Sequence, residues 1–204
     1  MSYDSKISKE ILIKAFSLLD EIIDEKGVRC HICVYGGSAF LMINEMRRMT
    51  GDVAYRILSI SGLDERKDVA LQEFRKAVVA VGEKLGLPKG WMNDAVKGFV
   101  SENEELVEGS DFACGALSVS SPSFEYLLAM KCMSMRSMED SPHDRNDIKT
   151  LLNALEITSV EQVFAIIEKF YPIRQIQAKT MFGVEEIVEE VLAGKSNEKK
   201  SFDM

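Results

Sequence analysis

Residues 29–55, RCHICVYGGSAFLMINEMRRMTGDVAY, constrain this chain more than any other stretch. The β-branched and aromatic run at 29–35 predicts a strand, and Gly36-Gly37-Ser38 predicts a turn. A short apolar helix follows from 38 to about 46, and Asp52 opens a second strand over about 52–60. Two glycines let the backbone come close to another group, and Ser38 is placed to cap the helix while offering a hydroxyl. Free N–H groups at a helix start attract phosphate, and a carboxylate at the mouth of the neighbouring strand can hold a metal against it. Strand-to-helix turns also use glycine for geometry alone, so the turn by itself fits both uses.

The order of the parts is more specific. A Gly-Gly-Ser turn, a helix and then Thr50-Gly51-Asp52-Val53 resembles the opening motif of the nucleotidyltransferase superfamily, in which a Gly-Ser turn precedes a strand carrying Asp-x-Asp. Within it, the chain is similar to prokaryotic nucleotidyltransferase-like proteins related to abortive-infection toxins. These commonly show a Gly-Gly-small-Ala turn, a Thr-x-Asp-apolar-Asp strand, and Leu-Pro followed by Trp and Asn, as in LPKGWMND at 87–94. Leu-Leu-Ala-Met-Lys ending at Lys131, then Arg136, then Asp144-x-x-Asp147-Ile148 ahead of a Leu-rich helix resembles a second block of the same family.

The resemblance implies a nucleoside triphosphate bound by Gly36, Gly37, Ser38, Lys131 and Arg136, with Asp52 and Asp144 catalytic and Asp52 a ligand of Mg²⁺. It further implies an RNA or protein acceptor and a cognate antitoxin-like protein, in a two-gene defence or toxin–antitoxin pair.

The pattern departs from the family where the chemistry is most demanding. Nucleotidyl transfer needs a clamp on the phosphates and carboxylates that hold Mg²⁺ across the attacking and leaving oxygens. Carboxylates at i and i+2 of a strand share a face, but the residue two beyond Asp52 is Ala54. The third carboxylate usual on a later strand is missing from 112–119, FACGALSV. One carboxylate still binds Mg²⁺ together with substrate phosphates and water, but does not fix two ions. Asp144 and Asp147 either fill in or serve their own helix, by capping it or pairing with Arg136 or Arg145. Lys131 sits within an apolar run, where it either meets phosphate or snorkels to solvent, and Arg136 carries the same two readings.

Composition bounds the rest. A 204-residue chain, 46% hydrophobic and 28% charged, suits one substantial domain with a helical appendage. The net charge of −8 argues against a broad non-specific grip on nucleic acid. No apolar run approaches the roughly 20 residues of a membrane span, and MSYDSKISKE lacks a signal-peptide design, so the expected location is cytoplasmic. The cysteines at 30, 33, 114 and 132 read as reduced thiols. Cys30-His31-Ile32-Cys33 has no second Cys/His pair and would turn its two thiols to opposite strand faces, which favours burial over zinc.

The remaining periodicity predicts helices over 5–26, 64–85, from Trp91 to about Val100, after Ser123, after Pro142, over 159–170, 173–180 and 184–193, with 101–111 irregular and 112–119 a third strand. Trp91 reads as a packing anchor for its loop. The expected fold is α/β: a nucleotidyltransferase-like domain with a small mixed sheet over 1–120, a helical region over 121–194, and a flexible tail over 195–204. Three functions fit: a nucleotidyltransferase with a degenerate metal site, an inactive member that binds nucleotide or a protein partner, and a helical interaction module without a ligand.

Overall fold

The computed structural model describes residues 6–43, 49–62, 66–108, 115–135 and 142–202. Arg136, Cys114, residues 44–46 of the expected second helix and 112–114 of the expected third strand lie outside them. The chain is α/β, with a five-stranded mixed sheet, a two-stranded sheet and a helical C-terminal part. It divides into a sheet unit, running to Gly98 and resuming over Leu106–Pro122, and a helical unit made of Phe99–Glu105 and the chain from Ser123 onward. Where the sequence placed one boundary near 120, the chain therefore crosses between units three times.

In the sheet unit, β1 (Ile7–Ser8) leads into α1 (Lys9–Glu25), β2 (Arg29–Tyr35), α2 (Gly36–Ile43), β3 (Met49–Thr50) and β4 (Val53–Ser61). Then come α3 (Lys67–Leu85), β5 (Met92–Asn93), a 3-10 turn (Ala95–Gly98), β6 (Leu106–Glu108) and β7 (Leu117–Pro122). The main sheet has the order β5-β4-β2-β7-β6, with β2 antiparallel to β4 and parallel to β7. As the central strand, β2 is buried along most of its length, and it reads as a near-continuous apolar run.

Ser8 starts α1 by accepting the Ile11 N–H at 3.3 Å. The helix then turns Leu12, Phe16, Leu19 and Ile23 inward at helical spacing. They meet Cys30, Ile32 and Val34 of β2, Leu117 and Val119 of β7, and Phe74, Val78 and Val81 of α3 in one core. The polar side of α1 contributes a second tie: Asp20 accepts the N–H groups of Gly115, Ala116 and Leu117 at 3.3, 2.6 and 2.7 Å, anchoring the entry to β7.

Two local expectations give way to strand pairing. The helix predicted from Trp91 is instead β5 followed by the 3-10 turn, because Met92 and Asn93 pair in parallel with Val53 and Ala54. Trp91 locks this arrangement: its carbonyl accepts the Val53 N–H at 2.6 Å, and its buried indole N–H donates to the Val78 carbonyl at 3.0 Å. The segment expected to be irregular contains β6, an edge strand antiparallel to β7.

The helical unit comprises α4 (Phe124–Met133), α5 (Pro142–Ala154), α6 (Val160–Phe170), a 3-10 turn (Ile173–Gln175) and α7 (Ala178–Phe202). Ser123 and Ser159 cap α4 and α6, accepting the N–H groups of Tyr126 and Gln162. Tyr126 stacks against Phe170 with ring centroids 4.8 Å apart. Residues 99–105 belong here because the Ser101 N–H donates to the Tyr126 hydroxyl at 2.8 Å, the Ser101 hydroxyl to the Phe170 carbonyl, and the Tyr171 hydroxyl to the Phe99 carbonyl. Of the two short helices predicted near the C-terminus, 173–180 opens as the 3-10 turn, while its end and all of 184–193 belong to α7. Gly183 lies inside it, where an added Cβ would stand 2.3 Å from Met135 Cε, so this glycine serves a close approach rather than a break. The helix continues past Gly194 to Phe202, where a flexible tail was expected. No described helix is long and apolar enough to cross a membrane.

Candidate functional site

The sheet unit brings the first set of predicted residues together through register. Tyr35 is the last residue of β2 and pairs with Ala54, so the 36–38 turn leaves the ladder beside the start of β4. Gly36 adopts φ +60°, a left-handed conformation that suits glycine, and with it the chain turns from strand into α2. The first turn of any helix leaves N–H groups without intrahelical acceptors. Ser38 is used differently from the expected cap. It is fully buried in the third position of α2, and its hydroxyl donates to the Tyr35 carbonyl at 2.8 Å, so it braces the turn rather than facing outward.

Asp52 is exposed just ahead of β4, and the Thr50 hydroxyl donates to its backbone carbonyl at 3.0 Å. Its carboxylate has a partner that sequence reasoning did not single out. The Asn93 side-chain amide donates to Asp52 Oδ2 at 2.6 Å, while Asn93 Oδ1 accepts the Ala95 N–H at 3.1 Å. The third carboxylate was sought on 112–119, but β7 borders β2. The strand that borders β4 is β5, where the residue level with Ala54 is Asn93. The signal was in view, since Asn93 belongs to the LPKGWMND phrase; what was hidden was its pairing with β4. The next acid, Asp94, is exposed and pairs with Lys97, which holds its carboxyl below the usual range.

The donor set can be tested for Mg²⁺ on these contacts. Among the described residues no three His, Cys, Asp or Glu side chains form a group able to hold a metal ion. The group beside Asp52 is an amide presenting N–H, and Ala54 adds no donor. The described residues therefore do not fit a two-ion centre, and a single ion there would draw most of its ligands from substrate phosphates and water.

The helical unit holds the second set. Lys131, on α4, is only 8% exposed as a residue. Its Nζ donates to Asp144 Oδ1 at 2.9 Å and lies 2.7 Å from Asp147 Oδ2, both on α5. The two acids stand three residues apart on one helix face, as i and i+3 must. They thus meet Lys131 rather than Arg145, which pairs with Glu186 and Glu190 of α7. Among the described residues, two carboxylates meet one ammonium here.

Cys30 and Cys33 are buried and form no disulfide. Burial pushes the Cys30 thiol up to about 12, which keeps it protonated at neutral pH. His31 between them engages the Ser120 hydroxyl at 2.7 Å.

No protein-family model matches the chain, and comparison with curated proteins and with solved structures gave no match.

Proposed function

We propose that this chain is a nucleotidyltransferase-fold protein that binds a nucleoside triphosphate at the 36–38 turn and Asp52, with Mg²⁺ carried in on the phosphates, and that its transfer activity is weak. The observation that carries this reading is the Tyr35–Ala54 register, which sets a glycine turn and the first turn of α2 beside a solvent-exposed carboxylate. N–H groups for phosphate and one acid for a cation then stand at the same corner. An RNA or protein acceptor and a cognate antitoxin-like partner belong to the same proposal and rest on the resemblance, and the cytoplasmic setting expected from the sequence belongs to it too.

A second reading, an inactive member that binds nucleotide or a protein partner, is favoured by Ala54 and Asn93 standing where carboxylates would complete the centre, and by the engagement of Lys131 with Asp144 and Asp147. The test has two stages. A thermal-shift screen of the four nucleoside triphosphates with Mg²⁺ or Mn²⁺ should give stabilisation by at least one, and failure of all four removes both nucleotide readings. Incorporation of labelled nucleotide into RNA or protein should then be low in the wild type, lost in Asp52→Ala and raised in Ala54→Asp. Robust wild-type transfer would contradict a degenerate metal site.

A further inference from the structure

We infer that Asn93 is a positioning residue for Asp52, and that the pair works as one unit: the amide fixes one carboxylate oxygen and leaves the other for the ligand. This rests on the nucleotide-binding reading above for its functional consequence, but its structural part stands alone. Three contacts carry it. The Ala95 N–H donates to Asn93 Oδ1 at 3.1 Å, which settles the orientation of the amide, because only the oxygen can accept. With the oxygen so used, the NH₂ faces Asp52 and donates to Oδ2 at 2.6 Å. The parallel pairing of Val53 with Met92 and Ala54 with Asn93 holds the two backbones in step, and Trp91 anchors β5 through its indole and its carbonyl.

The chemical consequence follows from the kind of group that faces Asp52. A carboxylate at 93 would repel Asp52 unless a cation or proton lay between them, so the empty site would depend on metal for its shape. An amide attracts the same carboxylate without any ion. The corner is thus set before a ligand arrives, with one carboxylate oxygen oriented by a neutral amide. That arrangement suits one cation already partly neutralised by triphosphate better than a bare divalent ion.

The test combines two measurements. Without nucleotide, the side-chain NH₂ resonances of Asn93 are followed by NMR in wild type and Asp52→Ala, with circular dichroism melting to confirm that both are folded. One proton of the pair should be shifted downfield in the wild type and lose that shift in the variant; an unchanged pair overturns the inference. ATP affinity with Mg²⁺ is then measured by calorimetry for wild type, Asp52→Ala, Asn93→Ala and the double variant. Asn93→Ala should weaken ATP about tenfold in the wild-type background and have no further effect once Asp52 is gone. Equal losses in both backgrounds would mean that Asn93 acts on the ligand directly, which contradicts positioning. If the wild type binds no ATP, the nucleotide best held in the thermal-shift screen takes its place, and failure of all four removes the nucleotide reading, while the NMR comparison still decides whether Asn93 holds Asp52.

Discussion

Two acidic corners of this protein look alike in sequence and differ in the fold. Asp52 stands exposed at the edge of the sheet unit, with one oxygen held by an amide. Asp144 and Asp147, in the helical unit, have side chains only 19% and 10% exposed and close on a lysine that is itself 10% exposed. An exposed carboxylate with a neutral partner adds little to folding and is open to a ligand. A buried lysine between two carboxylates has repaid much of its desolvation through those partners, and removing one of the three takes that compensation away. The difference teaches that residue type does not mark a binding site; the partner and its burial do.

The largest effect should come from breaking the second corner. Lys131→Met takes the ammonium away from two mostly buried carboxylates and should cost about 3–5 kcal/mol in denaturant unfolding, whereas Asp52→Ala should change stability by no more than about 0.5 kcal/mol. Similar losses in the two variants would erase the distinction between a closed and an open corner.

Asp20 sharpens the same point, because it is a carboxylate with neutral partners that is nevertheless structural. Its three backbone N–H contacts secure β7, and Asp20→Ala should destabilise by about 1.5–3 kcal/mol in the same assay, with native hydrogen exchange rising first at Ala116 and Leu117. Exchange rising uniformly instead would deny it a local role.

A smaller cost is expected at the glycine turn. An added Cβ at Gly36 meets nothing within 4 Å, so Gly36→Ala tests the φ of +60° without a clash and should lose only about 1 kcal/mol. A neutral outcome would show that the turn is not held in the left-handed region.

Much of the framework was legible because its signals are local. The β2 run with its central burial, the glycine turn and the apolar stripe of α1 each announce themselves within a few residues. β5 was not, since a two-residue strand has no period, and its identity comes only from pairing with β4 at a separation of 39 residues that spans α3. The same holds for Lys131. Its place in an apolar run marked it as unusual, and Asp144 and Asp147 were read with Arg136 or Arg145, but only the packing of α4 on α5 joins the three. At the C-terminus, the helix was expected to stop between 180 and 184, and the approach of Gly183 to Met135 that accompanies its continuation is non-local.

The central claim, that the open corner and not the closed one receives the phosphates, is tested most directly by mapping backbone amide shifts in ¹⁵N-labelled protein as a nucleoside triphosphate with Mg²⁺ is added. The account predicts the largest changes at Gly36, Gly37, Ser38, Asp52 and Asn93, with Lys131, Asp144 and Asp147 little moved. Changes centred on Lys131 and its two acids, with the 36–38 turn silent, would contradict it.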